Sequence, residues 1–305
     1  MNANATRKTA VFGASGQVGR AWLELLGASA IALDRTTADL STPEQLAPLL
    51  DRIHASTPLA AVVNAAAYTA VDQAEKEETL AHTINATSPG VIARWCAAHD
   101  VPLVHYSTDY VFSGAGTKPW SEEDEVAPLS AYGRTKLAGE REVTAASGKT
   151  LIFRTSWVYD AYGKNFVRTM LHLGAERDTL RVVADQFGAP TYAPHLAHAS
   201  FVALQKAVQG PVFPSGIYHL CNAGETSWHG FASRIFDRAR ALGISLAVKA
   251  VEAIPTSAYP TPATRPLNSR LNLDKAARVF ALQLPNWVEG LEECLLTLKK
   301  GTSNS

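Results

Sequence analysis

Short apolar runs alternate with amphipathic stretches through the first half of the chain. Residues 9–12, 30–33, 60–63, 101–106 and 150–155 read as buried strands. Residues 20–26, 43–54, 91–99 and the stretch from Tyr132 carry helical spacing. Such alternation predicts parallel strands joined by crossover helices. Residues 72–86 begin with Asp72, Glu75, Lys76, Glu77 and Glu78 and then turn apolar, so these charges read as a solvated face. Beyond Ser156 the pattern is less regular. Helices are expected over 166–174, 195–208, 228–242, 274–280 and 287–299, with strands over 180–184 and 216–220. A proline-bearing stretch, 254–271, reads as extended loop, and 299–305 is expected to fray. The fold class is α/β: a doubly wound, Rossmann-like parallel sheet with a smaller C-terminal lobe over its strand ends.

Composition narrows the partners. A chain of 305 residues that is 47% hydrophobic can bury a large core in one or two domains. Its 28 basic and 28 acidic residues balance without long runs of one sign, so no nucleic acid or anionic membrane is expected. A small-molecule partner remains. Cys96, Cys221 and Cys294 are scattered and read as reduced, buried thiols rather than a disulfide frame or zinc site. Residues 1–8 are polar and no apolar run has membrane length, which places the chain in the cytoplasm by expectation.

Three stretches carry candidate chemistry. The first strand ends in Gly13-Ala14-Ser15-Gly16-Gln17-Val18-Gly19 and leads into a helix, and Asp34 closes the second strand. Glycines let backbone approach a pyrophosphate, a helix N-terminus offers free N–H groups, and an acid can hold ribose hydroxyls. Residues 1–156 are thus expected to bind a dinucleotide, with 157–305 mainly a substrate lobe whose later segments add strands to the same sheet. Arg35 follows Asp34 and pulls the other way, offering a 2′-phosphate a charge-assisted contact, so both NADH and NADPH are expected to serve. Asn64-Ala65-Ala66-Ala67 leaves room for a flat ring at a strand end, or for a close helix–strand contact. Ser107-Thr108-Asp109 emerges where the fourth strand stops, as site residues or as turn and cap chemistry. Tyr132 and Lys136 lie four apart on one helix face, where an ammonium beside a phenol favours the phenolate.

These stretches, in this order, resemble the extended short-chain dehydrogenase/reductase family and, within it, the dTDP-4-dehydrorhamnose reductase branch. The blocks are residues 12–19, 64–75, 106–112, 132–140, 154–159 and 185–191, and the likeness spans roughly 9–298. The resemblance implies reduction of the C4 ketone of dTDP-4-dehydro-L-rhamnose by NADPH or NADH, the last step to dTDP-L-rhamnose. It implies Tyr132 as proton donor, Thr108 as partner of the forming alkoxide, and Lys136 as the group that holds the nicotinamide ribose and lowers the tyrosine pKa. Gly13, Ser15, Gly16, Gln17, Val18 and Gly19 would meet the pyrophosphate, and Ala65, Ala66 and Ala67 the central ribose region. Asp34, Arg35, Asp39 and Leu40 complete the cofactor set; Asp109 and Trp157 line the sugar site, and Arg265 reaches the diphosphate. A monomer or homodimer is implied. Some members bridge a dimer through Mg²⁺ held by glutamates, but here the first position is Ala21 and another region reads Pro194-His195, a poor set for a hard cation. Two alternatives stand beside this one. One is another nucleotide-sugar enzyme of the same fold, a reductase, an epimerase or a 4,6-dehydratase; dehydratases of the family carry Asp-Glu after the threonine, whereas Asp109 is followed by Tyr110. A non-catalytic regulatory subunit of methionine adenosyltransferase resembles the branch but lacks the Trp-Val-Tyr and Asp-Gln-x-Gly-Ala-Pro blocks found at 157–159 and 185–190.

Overall fold

The computed structural model describes residues 7–302. Most of the polar N-terminal stretch and residues 303–305 lie outside the described residues; the last helix continues over Trp287–Thr302 where fraying was expected from 299. Six strands make the central sheet: β1 (Lys8–Phe12), β2 (Ala30–Leu33), β3 (Leu59–Asn64), β4 (Leu103–Thr108), β5 (Thr150–Thr155) and β6 (Gly216–His219). Their order is β6-β5-β4-β3-β1-β2, and every pairing is parallel. Both faces are covered by helices, which is why β3, β4 and β5 read as continuous apolar runs rather than alternating ones.

One face buries Val11, Val63 and Phe153 against Trp22, Leu196 and Ala203, from the helices Gln17–Leu26 and Ala193–Gln209. Here Trp22 Nε1 donates to the Tyr106 hydroxyl at 2.7 Å. The other face buries Phe12, Val62 and Ile152 against Leu50, Ile92 and Val143 of the helices Leu46–Ser56, Ser88–Ala98 and Ala131–Ala145. The sheet's winding reverses at β1, which has β2 on one side and β3 on the other. Such a switch point opens a crevice beyond the carboxyl ends of the strands.

The region past residue 156 is shared between two places. The Ala193–Gln209 helix and β6 complete the central sheet, while a separate core gathers Tyr159, Val167, Leu180, Phe231, Phe236, Leu291 and Leu295. A parallel pair, Thr179–Val183 with Ala250–Ile254, edges that core. The second strand of this pair goes unread in the sequence because only its last residue is buried, leaving no alternating apolar signal. The proline-bearing segment is a strap tied to the loop before the Tyr132 helix. Trp120 N donates to Arg270 O at 2.9 Å, Asn272 N to Trp120 O at 2.7 Å, and Asn268 N to Gly114 O at 3.0 Å.

Candidate active site

At the end of β1, Gly13 sits at φ +75°, and a Cβ there would lie 2.7 Å from the Ala66 nitrogen. The glycine turn is therefore pressed onto the Ala65–Ala67 backbone at the end of β3. A Cβ on Gly19 would come 2.0 Å from the Gly13 carbonyl oxygen, so helix and turn also touch backbone to backbone. The Gln17–Leu26 helix has no side-chain N-cap and no acidic residue in its first turn. Its first N–H groups are without intrahelical partners, and the dipole there favours negative charge. Ser15 and Gly16 are exposed, and Gln17 and Val18 partly so. This cradle fits a pyrophosphate.

Asp34 Oδ1 accepts from Thr36 N (2.9 Å), Thr36 Oγ1 (2.7 Å), Thr37 N (3.1 Å) and Thr37 Oγ1 (3.1 Å). The Thr36 hydroxyl foremost, then the Thr37 amide, lowers its pKa. Arg35 is exposed and meets Asp39 at 3.7 Å. Asp39 also accepts from Ser41 N at 2.9 Å, and Leu40 is buried with its carbonyl accepting from Ser88 Oγ at 2.5 Å.

Next along the same edge, β4 extends through Thr108, two residues beyond the strand end the apolar run suggested. The Ala131–Ala145 helix starts against it. Ser130 Oγ accepts from Gly133 N at 3.2 Å, and Glu75 Oε1 accepts from Ala131 N at 2.8 Å. A Cβ on Gly133 would fall 2.3 Å from the Tyr110 carbonyl, so the helix start is seated on the turn after β4. Thr108 Oγ1 donates to Asp109 Oδ1 at 3.0 Å and accepts from Tyr110 N at 3.2 Å. Asp109 is 2% exposed and its Oδ2 has no partner. Burial raises its pKa to about 6 against the pull of the Ser269 and Thr108 hydroxyls.

Tyr132 and Lys136 differ from the expected mutual pair. Lys136 is buried, and its Nζ donates to the Tyr106 carbonyl at 2.7 Å. Burial lowers it to about 8, opposed by the Glu140 carboxylate. Burial likewise raises Tyr132 to about 12, with the Thr108 hydroxyl's hydrogen bond opposing. Desolvation sets both groups, and the lysine's charge is directed at a backbone carbonyl.

Trp157 follows β5 with its backbone at φ +50°, a conformation costing a non-glycine residue of order 1–3 kcal/mol. Arg265 lies on the strap and makes a two-bond fork to Asp72, with Nη1–Oδ1 3.1 Å and Nη2–Oδ2 2.7 Å. The acidic run is thus more than a solvated face: Glu75 caps the Tyr132 helix, Glu78 forks to Arg134 at 2.9 and 2.8 Å, and Asp72 holds the strap. Asn85 is another residue sequence reasoning passed over. It is fully buried in a π-helical turn, Thr83–Thr87, a feature frequent near functional sites. Its side chain takes the Tyr68 N–H at 2.8 Å, gives to the Tyr68 carbonyl at 3.2 Å and to Thr135 Oγ1 at 3.1 Å. The loop after β3 is thereby fastened between Tyr132 and Lys136. An asparagine in a run that switches from charged to apolar was the available signal.

Among the described residues no three His, Cys, Asp or Glu side chains are grouped to hold a metal ion. Ala21 is buried, and His195 is engaged by Glu293 at 3.1 Å and Asn222 at 2.9 Å. No described helix is long and apolar enough to cross a membrane.

Backbone ready for phosphate beside β1 and a helix carrying Tyr132 and buried Lys136, seated on the turn after β4, share one edge of one doubly wound sheet. That combination places the chain among the short-chain dehydrogenases/reductases, dinucleotide-dependent oxidoreductases. Residues 7–300 match the family model described as RmlD substrate binding domain. A dTDP-4-dehydrorhamnose reductase of Salmonella typhimurium is 47% identical over 291 residues, covering 93% of this chain and 96% of that protein. One from Burkholderia thailandensis is 45% identical over 302 residues, covering 95% and 99%. The Bacillus anthracis dTDP-4-dehydrorhamnose reductase, solved in complex with NADP, superposes with a TM-score of 0.86 at 34% identity, covering 95% and 99%. The chain belongs to the dTDP-4-dehydrorhamnose reductase family.

Proposed function

We propose that this protein reduces the C4 ketone of dTDP-4-dehydro-L-rhamnose with NADPH or NADH, forming dTDP-L-rhamnose. The observation that carries the reading is the seating of the Tyr132–Lys136 helix on the turn just after Thr108, with Lys136 anchored to the Tyr106 carbonyl, on the sheet edge that also bears the glycine cradle, in a chain with full-length reductase relatives. Ser15 to Val18 would hold the pyrophosphate, Ala65 to Ala67 the central ribose region, and Asp34 with Arg35 the adenosine ribose. When bound, the dihydronicotinamide supplies a hydride to C4. Tyr132 gives its proton to the C4 oxygen and regains one from solvent, so ketone, NAD(P)H and a proton become alcohol and NAD(P)⁺. A phenol raised to about 12 keeps its proton until a base as strong as an alkoxide forms beside it. Thr108 turns its hydroxyl from Asp109 toward that oxygen as charge develops. Lys136 holds the nicotinamide ribose while staying anchored to Tyr106. Asp109 and Trp157 line the sugar.

In this reading residues 1–156 serve mainly the cofactor and 157–305 mainly the sugar nucleotide, with Arg265 turning from Asp72 to the diphosphate. The enzyme works in the cytoplasm as a monomer or homodimer. Incubation with NADPH and the 4-keto sugar nucleotide tests it: nicotinamide oxidation matched by dTDP-L-rhamnose is expected. Purified, folded protein that consumes neither would overturn the reading.

A further inference from the structure

Trp157 is held in a left-handed backbone conformation that glycine ordinarily takes, so its surroundings must fix it. Three contacts from two distant segments do so. Its carbonyl accepts from Thr191 N at 3.1 Å. Its indole is pressed on Gly188, where a Cβ would lie 2.9 Å from Trp157 Cε2 and 3.1 Å from Cζ2. Its ring stacks on Trp228, with centroids 3.6 Å apart and planes 13° from parallel. Trp228 is in turn held at the start of the Trp228–Ala241 helix, where Ser227 Oγ accepts from Gly230 N at 3.1 Å, and Phe166 packs on it at 4.6 Å. The strand pair Phe187–Gly188 and Thr226–Ser227 delivers the glycine and this second indole to Trp157 together. Both indoles keep part of their surface open, unlike core aromatics such as Phe231 and Phe236 nearby. A stack that served packing alone would need neither the strained backbone nor the open edge.

We propose that Trp228 is a positioning residue for sugar recognition: it fixes the Trp157 indole, whose remaining open part the hexose of the sugar nucleotide meets. The proposal rests on the placement of Trp157 in the sugar site, and the test separates the two. Two indoles in stacked contact couple their transitions, and where the rings are twisted in plane relative to one another this gives a paired positive and negative far-ultraviolet circular dichroism band, a readout independent of turnover. Wild type is expected to show that couplet, and dTDP-L-rhamnose to change its amplitude. Trp228→Leu should abolish the couplet and raise the sugar-nucleotide KM about five- to tenfold, with kcat and the NADPH KM close to wild type. Trp228→Phe should also lack the couplet yet recover most of the KM, since a ring still stacks. Gly188→Ala, which keeps both tryptophans but pushes Trp157 off its seat, should weaken the couplet and raise the same KM. It stands in if Trp228→Leu does not fold.

An unchanged sugar KM in Trp228→Leu while Trp157→Leu raises it overturns the proposal: it leaves the sugar site intact and removes Trp228 from it. If Trp157→Leu itself leaves the sugar KM unchanged, the placement of Trp157 in the sugar site falls and the role of Trp228 falls with it.

Discussion

Two helices begin at the carboxyl edge of the central sheet, and they begin differently. The Gln17–Leu26 helix has no side-chain cap and no acid in its first turn. The Ala131–Ala145 helix has two caps, the Ser130 hydroxyl and the Glu75 carboxylate, and Glu78 grips Arg134 one turn on. A bare helix end holds unmet N–H donors and costs stability until an anion meets them. A pinned one holds its side chains at fixed positions. The contrast teaches which helix binds through backbone and which acts through side chains.

The largest test of that division is Tyr132→Phe. It should lower kcat by about 10²–10⁴-fold, with NADPH affinity, read by nicotinamide fluorescence, left near wild type. Near-normal turnover would remove Tyr132 from the proton path.

Lys136→Met tests the cost of burying charge on the pinned helix. A folded-state pKa of about 8 against the ordinary lysine value of 10.5 means the unfolded chain holds the proton more tightly. The resulting cost is full below about pH 8 and fades as pH rises toward about 10.5, so wild-type stability climbs across that window. Methionine removes the cost, on the order of 3 kcal/mol, less the lost bond to the Tyr106 carbonyl. Urea unfolding should therefore show the variant more stable at pH 7, with the gap closing toward pH 10. A pH-independent gap would contradict the depressed lysine.

Gly13→Ala attacks the bare end. A methyl 2.7 Å from the Ala66 nitrogen, at φ +75°, must spread the cradle. Strain of about 1–3 kcal/mol should weaken cofactor binding by roughly ten- to a hundredfold, measured by titration calorimetry. An unchanged Kd would place the pyrophosphate elsewhere. By contrast, Ser130→Ala should cost about 1 kcal/mol of stability and leave the cofactor Kd alone. A comparable loss of cofactor affinity there would erase the distinction between the two helices.

The smallest effect concerns Asp34 and Arg35. Asp34 has one oxygen committed to Thr36 and Thr37, and Arg35 is loosely tethered at 3.7 Å to Asp39. Their opposed preferences for NADH and NADPH should nearly cancel, leaving a difference of about five- to tenfold. Arg35→Ala should shift kcat/KM toward NADH and Asp34→Ala toward NADPH. Shifts in the reverse sense would show that the pair does not face the ribose.

The glycine turn was legible because its demands are local: Gly13 needs a left-handed φ and Gly19 a bare Cα, and seven consecutive residues state both. The sheet was legible because strands buried on both faces must be apolar along their length. The partners of Asp72, Glu75 and Glu78 were not, for they are supplied by Arg265, Ala131 and Arg134, far along the chain. The strand Ala250–Ile254 escaped because four of its five residues are not buried.

Alone, the order of residues determined the strand–turn–helix alternation, the phosphate-ready turn and the tyrosine–lysine spacing, since each depends on backbone and side-chain properties within a few positions. Tertiary structure decided how those groups titrate and where they aim. Burial raises Tyr132, Lys136 is turned to the Tyr106 carbonyl, and Trp157 is seated on Gly188 and Trp228. Desolvation and stacking are set by neighbours that only the folded chain brings within reach.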